Sequence, residues 1–181
     1  KVGKGVTHIK AGDRVVYAQS ALGAYSSVHN VPADKAAILP NAISFEQAAA
    51  SFRKGMTVFY LLRKTYEIKP DEPFLFHAAA GGVGLIACQW SKALGGKLIG
   101  TVGSAQKAQR ALQAGAWQVI NYREESIVDR VKEITGGKKV RVVYDSVGKD
   151  TWEASLDCLQ RHGLMVSFGN ASGPVTGVNL G

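Results

Sequence analysis

The residues that carry the most chemistry lie between Phe74 and Gly84. An apolar run from Phe74 to His77 gives way to Ala78, Ala79 and Ala80, then to Gly81, Gly82, Val83 and Gly84. A helix-compatible stretch from Leu85 to Leu94 follows and is closed by Gly95 and Gly96. Strand, tight turn and helix in that order present backbone N–H groups at a helix N-terminus, where a pyrophosphate binds. Gly81 lets the backbone approach phosphates with no Cβ in the way, and Gly84 lets the helix pack close against the strand. The strict G-x-G-x-x-G fingerprint has glycine at position 79, where this chain has Ala79. The context carries the reading: a strand before, a helix after, and a second strand-like run at Lys97–Val102.

A second feature is an absence. No Asp or Glu occurs from Pro73 to Arg123. An acid about 20 residues past the glycines would bind a ribose 2′-hydroxyl and repel a 2′-phosphate. That position falls at Gly103 and Ser104, and Lys107, Arg110, Tyr122 and Arg123 come after them. Ser, Lys, Tyr and Arg suit the charge and acceptor oxygens of a 2′-phosphate. The competing reading makes Lys107 and Arg110 ordinary solvated helix charges. The expected cofactor is NADP(H).

These residues need a scaffold, and the chain of 181 residues is long enough to bury one domain and part of another. With 46% hydrophobic and 20% charged residues, and no apolar run as long as a membrane span, the composition is that of a soluble globular protein. The net charge of +8 is scattered, with no compact basic block and no aromatic-interleaved RNA signature, so nucleic acid is not the expected partner. Cys88 and Cys158 form no disulfide framework, and a reduced cytoplasmic setting is expected. There is no signal-peptide pattern and no initiating Met.

Along the chain, residues 1–52 read as β-rich. Ala11, Gly12 and Asp13 make a turn into a strand at Val15 and Val16; Gly23–His29 and Ala36–Leu39 offer two more. Ser44 and Gln47 form a capping box that opens a helix at 48–52, and a second helix is expected from Met56 to Tyr66, after Gly55. From residue 53 to 181 the chain alternates strand and helix. Strands are expected at 74–77, 97–102, 117–121, 140–144 and 164–168, with helices at 83–94, 105–114, 127–134 and 151–159. Gly95, Gly115, Gly136 and Gly163 fall where helices need C-terminal glycines. Apolar strands with little alternation predict an α/β fold, a doubly wound parallel (Rossmann) sheet covered on both faces. Such a domain commonly has a sixth strand, so the chain reads as cut at both ends.

Asp71, Glu72, Leu75, Ala79–Gly82, Gly84, Gln89 and Lys92, at these spacings, resemble the signature of the zeta-crystallin-type quinone oxidoreductases, within the medium-chain dehydrogenase/reductase superfamily. The resemblance extends through Ala11–Val15, Gly55–Thr57, Val143–Gly148 and Ser167–Asn170, and is strongest toward bacterial NADPH:quinone oxidoreductases. That family also carries alanine in place of the first glycine. The resemblance implies that residues 1–52 are part of a GroES-like catalytic lobe. It places Lys54 and Thr57 at the nicotinamide end, and Gly81, Gly82 and Val83 on the pyrophosphate. It places Gly103, Ser104, Lys107 and Tyr122 on the 2′-phosphate, and Ser146, Val147, Phe168, Gly169 and Asn170 along the nicotinamide ribose and ring. Thr57 also suits a helix N-terminal cap. Full-length members are expected to be homodimers.

Zinc is used by many relatives and is not expected here. His8, His29, His77 and His162 are isolated, and the two cysteines lie far apart. His77 reads as a packed, hydrogen-bonded histidine and Cys88 and Cys158 as core residues. No nucleophile elbow is present. The expected activity is zinc-independent hydride transfer from NADPH to a quinone. Reduction of an activated carbon–carbon double bond by an enoyl or alkenal reductase requires the same geometry. A non-catalytic NADPH or RNA binder of the crystallin type is the reading from another class.

Overall fold

The computed structural model describes residues 1–20 and 22–178. It divides into two units, Lys1–Met56 and Thr57–Gly181. In the first, β1 (Val15–Tyr17) pairs antiparallel with β2 (Ala36–Ile38), Val16 opposite Ala37. The strand expected at 23–29 does not form. Leu22, Tyr25 and Val28 are exposed there, and the Ser26 hydroxyl bonds the carbonyls of Gly23 and Val28 in its own loop. Side-chain bonding to local backbone competes with a strand ladder.

Helix α1 (Phe45–Tyr60) opens with the expected capping box: Gln47 N–H donates to Ser44 Oγ at 3.1 Å, and Ser44 N–H to Gln47 Oε1 at 2.9 Å. Gly55 does not break it. The helices expected at 48–52 and 56–66 are one, which runs on as a π-helical stretch, Leu61–Thr65. A glycine costs about 1 kcal/mol in a helix interior. Complete burial of Val58, Leu61 and Leu62 outweighs that cost. The Tyr144 hydroxyl donates to Leu61 O at 2.9 Å, satisfying a carbonyl at the helix end.

The second unit is built on five parallel strands in the order β5-β4-β3-β6-β7. These are β3 (Pro73–Phe76), β4 (Lys97–Val102), β5 (Gln118–Asn121), β6 (Val140–Asp145) and β7 (Leu159–Ser167). Between them run α2 (Gly82–Ala93), α3 (Ala105–Ala114), α4 (Ile127–Ile134) and α5 (Trp152–Asp157). Alternate strand residues feed two cores. Phe74, Phe76, Leu98, Val102, Val142 and Tyr144 enter one; Leu75, Ile99, Ile120 and Val143 enter the other. Both faces are therefore covered, as an apolar parallel sheet requires.

The last strand differs from expectation. β7 begins at Leu159, and Gly163 lies inside it, not at a helix end. Its register against β6 shifts between Val140 and Val142, and a Cβ on Gly163 would stand 3.1 Å from Arg141 O. The glycine admits the bulge.

Two close approaches set the β3–α2 turn. A Cβ on Gly84 would lie 2.5 Å from the carbonyl oxygens of Ala78 and Ala79. A Cβ on Gly100 would lie 2.5 Å from the Ala79 methyl. Ala79 is tolerated in the fingerprint because β4 leaves its methyl room. Gly100→Ala should therefore destabilise the fold by about 1–3 kcal/mol in urea unfolding. Adding Ala79→Gly should recover most of that loss, and additive losses in the double variant would refute the contact.

Candidate functional site

The chain steps outward from β3 through β4 to β5, then crosses back to β6 and on to β7. The switch of direction falls between β3 and β6, and the crevice beyond their carboxyl ends is where such sheets bind ligands. A cavity of about 520 Å³ opens there, built wholly from the second unit. Gly81, Gly103, Lys107, Tyr122 and Val147 line it, five of the residues named from the sequence.

The wall nearest α2 is a helix start with no side-chain cap. Its first-turn N–H groups are open to an anion and sit at the positive end of the helix dipole. Gly82 and Val83 belong to that turn. On the far wall, Tyr122 lies over Gly103, where a Cβ would meet its hydroxyl at 2.5 Å. Ser104 caps α3, its Oγ accepting the Lys107 N–H at 3.3 Å. Accepting leaves the Ser104 hydroxyl proton available to an anion. Lys107, Arg110, Tyr122 and Arg123 are all exposed, and the first turn of α3 holds no acid. Glu125 does line the cavity, but Arg130 Nε lies 2.8 Å from its Oε2 and Asn121 N–H donates to its Oε1, so its charge is compensated.

The loops after β6 and β7 nest against each other. Phe168 N–H donates to Asp145 O at 2.9 Å, and Ala171 N–H to Ser146 O at 3.1 Å. A Cβ on Gly169 would stand 2.9 Å from Ser146 O, and one on Gly148 would stand 3.1 Å from the Cα of Asn170. Ser146, Phe168, Gly169 and Asn170 thus flank Val147 without lining the cavity. Lys54 and Thr57 lie in α1 and do not line it either; Lys54 Nζ donates to Ala50 O within the first unit.

Several contributors carried no sequence motif: Thr101, Ser126, Val128, Asp150 and Ala154 also line the cavity. Beneath it lies a buried polar cluster. The His77 ring bonds Thr101 Oγ1 through Nδ1 at 3.0 Å and Ser155 Oγ through Nε2 at 2.9 Å. Asp145 Oδ2 accepts the hydroxyls of Ser155 and Thr151, each at 2.7 Å. Its Oδ1 accepts the N–H groups of Val147 at 2.7 Å and Gly148 at 3.0 Å. Burial pushes the His77 pKa down to about 4, against the pull of the Asp145 charge. Burial alone would raise Asp145, but the hydrogen bonds from Thr151 and Gly148, with His77 and Ser155, hold its carboxyl below the ordinary value.

The two thiols are buried, which pushes Cys88 up to about 11 and Cys158 up to about 12, so both stay protonated at neutral pH. Among the described residues, no group of three or more His, Cys, Asp or Glu side chains is placed to hold a metal ion.

His77 makes stability depend on pH. Its pKa is lower folded than unfolded, so between pH 6.5 and 4 the unfolded chain binds the extra proton and stability falls as the solution is acidified. The loss should reach about 3 kcal/mol across that window. His77→Gln should flatten the slope of unfolding free energy against pH; an unchanged slope would assign it to other groups.

A family model described as "Zinc-binding dehydrogenase" matches residues 82–181. The quinone oxidoreductase of Salmonella typhimurium is 92% identical over 181 residues, covering 100% of this chain and 55% of that protein. A 2-haloacrylate reductase from Burkholderia is 45% identical over 175 residues, 96% of this chain and 53% of that protein. The crystal structure of Escherichia coli quinone oxidoreductase complexed with NADPH superposes with a TM-score of 0.96 at 87% identity, covering 99% of this chain and 55% of that one. The chain thus spans about half the length of the relatives it matches. Over more than half its length it fits the family model, and it belongs to the zinc-binding dehydrogenase family, in the medium-chain dehydrogenase/reductase superfamily.

Proposed function

We propose that this chain forms the cofactor-binding part of an NADPH-dependent, zinc-independent quinone oxidoreductase. One observation carries the reading: the switch-point cavity has an uncapped helix start on one wall and the Gly103–Lys107–Tyr122 group on the other. The open first turn of α2 suits a pyrophosphate, with Gly81, Gly82 and Val83 in contact. Lys107, Ser104 and Tyr122 offer a cation and two hydroxyls to a 2′-phosphate, and the lining Glu125 is paired with Arg130. Ser146, Val147, Phe168, Gly169 and Asn170, on the nested loops, suit the nicotinamide riboside; for Lys54 and Thr57 a role at the nicotinamide rests on the family resemblance alone. Bound there, NADPH supplies a hydride from its nicotinamide ring. The protein's part is to hold the ring in place and keep water away from it. A quinone is electrophilic enough to accept hydride without a metal, and its reduced oxygens take protons from solvent.

The zinc in the family's description has no donor set among the described residues: the thiols are buried and protonated, and His77 is engaged on both nitrogens. We take residues 1–52 as part of a catalytic lobe and residues 53–181 as the dinucleotide domain. No helix among the described residues is long and apolar enough to cross a membrane. Reduction of an activated double bond is the second reading, favoured by the likeness to a 2-haloacrylate reductase.

Calorimetric titration with NADPH and then NADH tests the assignment. Lys107→Glu should weaken NADPH binding by about tenfold to a hundredfold, the worth of one or two charged hydrogen bonds, and spare NADH. Equal losses for the two cofactors would remove the 2′-phosphate assignment. Gly81→Val should abolish both, and retained affinity would mean the pyrophosphate lies elsewhere.

A further inference from the structure

The polar cluster under the cavity has a direction. Ser155 Oγ has one proton, and it goes to the Asp145 carboxylate at 2.7 Å. Ser155 must then accept from His77, which puts the imidazole proton on Nε2. Nδ1 is left as an acceptor for the Thr101 hydroxyl. Thr101 Oγ1 in turn accepts the N–H of Ala78 at 3.3 Å. The result is an ordered chain: Ala78 N–H, Thr101, His77, Ser155, Asp145. His77, Ser155 and Asp145 are fully buried and Thr101 is 1% exposed.

Both ends of this chain finish on backbone that lines the cavity. At one end Asp145 Oδ1 takes the N–H groups of Val147 and Gly148. At the other, Ala78 opens the glycine turn with φ at +53°, a left-handed conformation that costs an alanine about 1 kcal/mol or more. Thr101 supplies part of what holds it there. Buried polar groups satisfied at every atom rigidify what they connect. Simple satisfaction of buried groups would not require that both ends be cofactor-facing turns on strands β3 and β6.

We propose that His77 and Ser155 are positioning residues: the buried chain locks the glycine turn and the Asp145–Gly148 turn into one frame, presetting the span a dinucleotide must bridge. This rests on reading the cavity as the NADP(H) site. Neither side chain needs to touch the ligand. A misplaced turn would cost affinity only for ligands that engage both ends.

The test compares NADPH, which spans both turns, with 2′-AMP, which engages only the Gly103–Lys107–Tyr122 end. Ser155→Ala leaves the His77 donor buried without a partner, and NADPH affinity should fall about tenfold while 2′-AMP affinity stays within about twofold. Ser155→Thr keeps the hydroxyl and should restore NADPH binding. His77→Gln, a second variant should Ser155→Ala fail to fold, keeps a donor but no ring acceptor and should give the same split. Nitrogen NMR of the wild-type imidazole should show a neutral ring protonated on Nε2. Undiminished NADPH affinity in the variants, parallel loss of both ligands, or a proton on Nδ1 would each overturn the proposal. Wild-type chain that binds neither ligand would overturn the reading of the cavity and this inference with it.

Discussion

The β3–α2 turn is held by two close approaches of glycine backbone, to carbonyl oxygens at Gly84 and to the Ala79 methyl at Gly100. Gly84 stands where any Cβ would meet two carbonyl oxygens at 2.5 Å, and Gly100 does the same for the Ala79 methyl. The first contact lets α2 start directly after the turn, with no side-chain cap on its first N–H groups and with Gly81 on the cavity wall. The second brings β4 close enough for Thr101 to reach the Ala78 N–H. Interiors packed at crystal density do not absorb even one methyl at such points. The turn, the helix dipole and the polar chain beneath them share that one steric condition.

Around this frame, charge is distributed by solvation. The cations Lys107, Arg110 and Arg123 are exposed, and Lys107 lines the cavity. The buried ionisable pair lies below. Asp145 keeps its charge because four donors point at it, and His77 gives up its charge because nothing outside the chain can solvate it. A site for a polyanion thereby has the exposed Lys107 on its wall, with the lining carboxylate Glu125 paired to Arg130.

Much of this was legible residue by residue. α3 and α4 have the bounds expected from the sequence, Ala105–Ala114 and Ile127–Ile134. β4 does too, Lys97–Val102, a short run with Leu98, Ile99 and Val102 between Gly96 and Gly103. Gly55 and Gly163 misled in the same way. Each reads locally as punctuation, yet one is carried through a helix by the burial of Val58, Leu61 and Leu62, and the other admits a bulge in β7. The run at 23–29 has β-like composition but forms no strand. At Gly55 packing overrode a propensity worth about 1 kcal/mol, and at 23–29 local bonding by Ser26 replaced a strand ladder.

From the sequence alone come the strand-turn-helix unit, the glycines it needs, the missing acid and the basic residues that follow. All of these are set within a few residues by backbone sterics, hydrophobic period and charge, and a linear reading can see them. Only the tertiary structure decides that His77 meets Ser155, 78 positions away, and that Thr101 and Asp145 complete the chain between them. Those meetings follow from the order of parallel strands. That order is fixed by crossover connections and by burial of both sheet faces, neither of which leaves a mark at the residues it brings together.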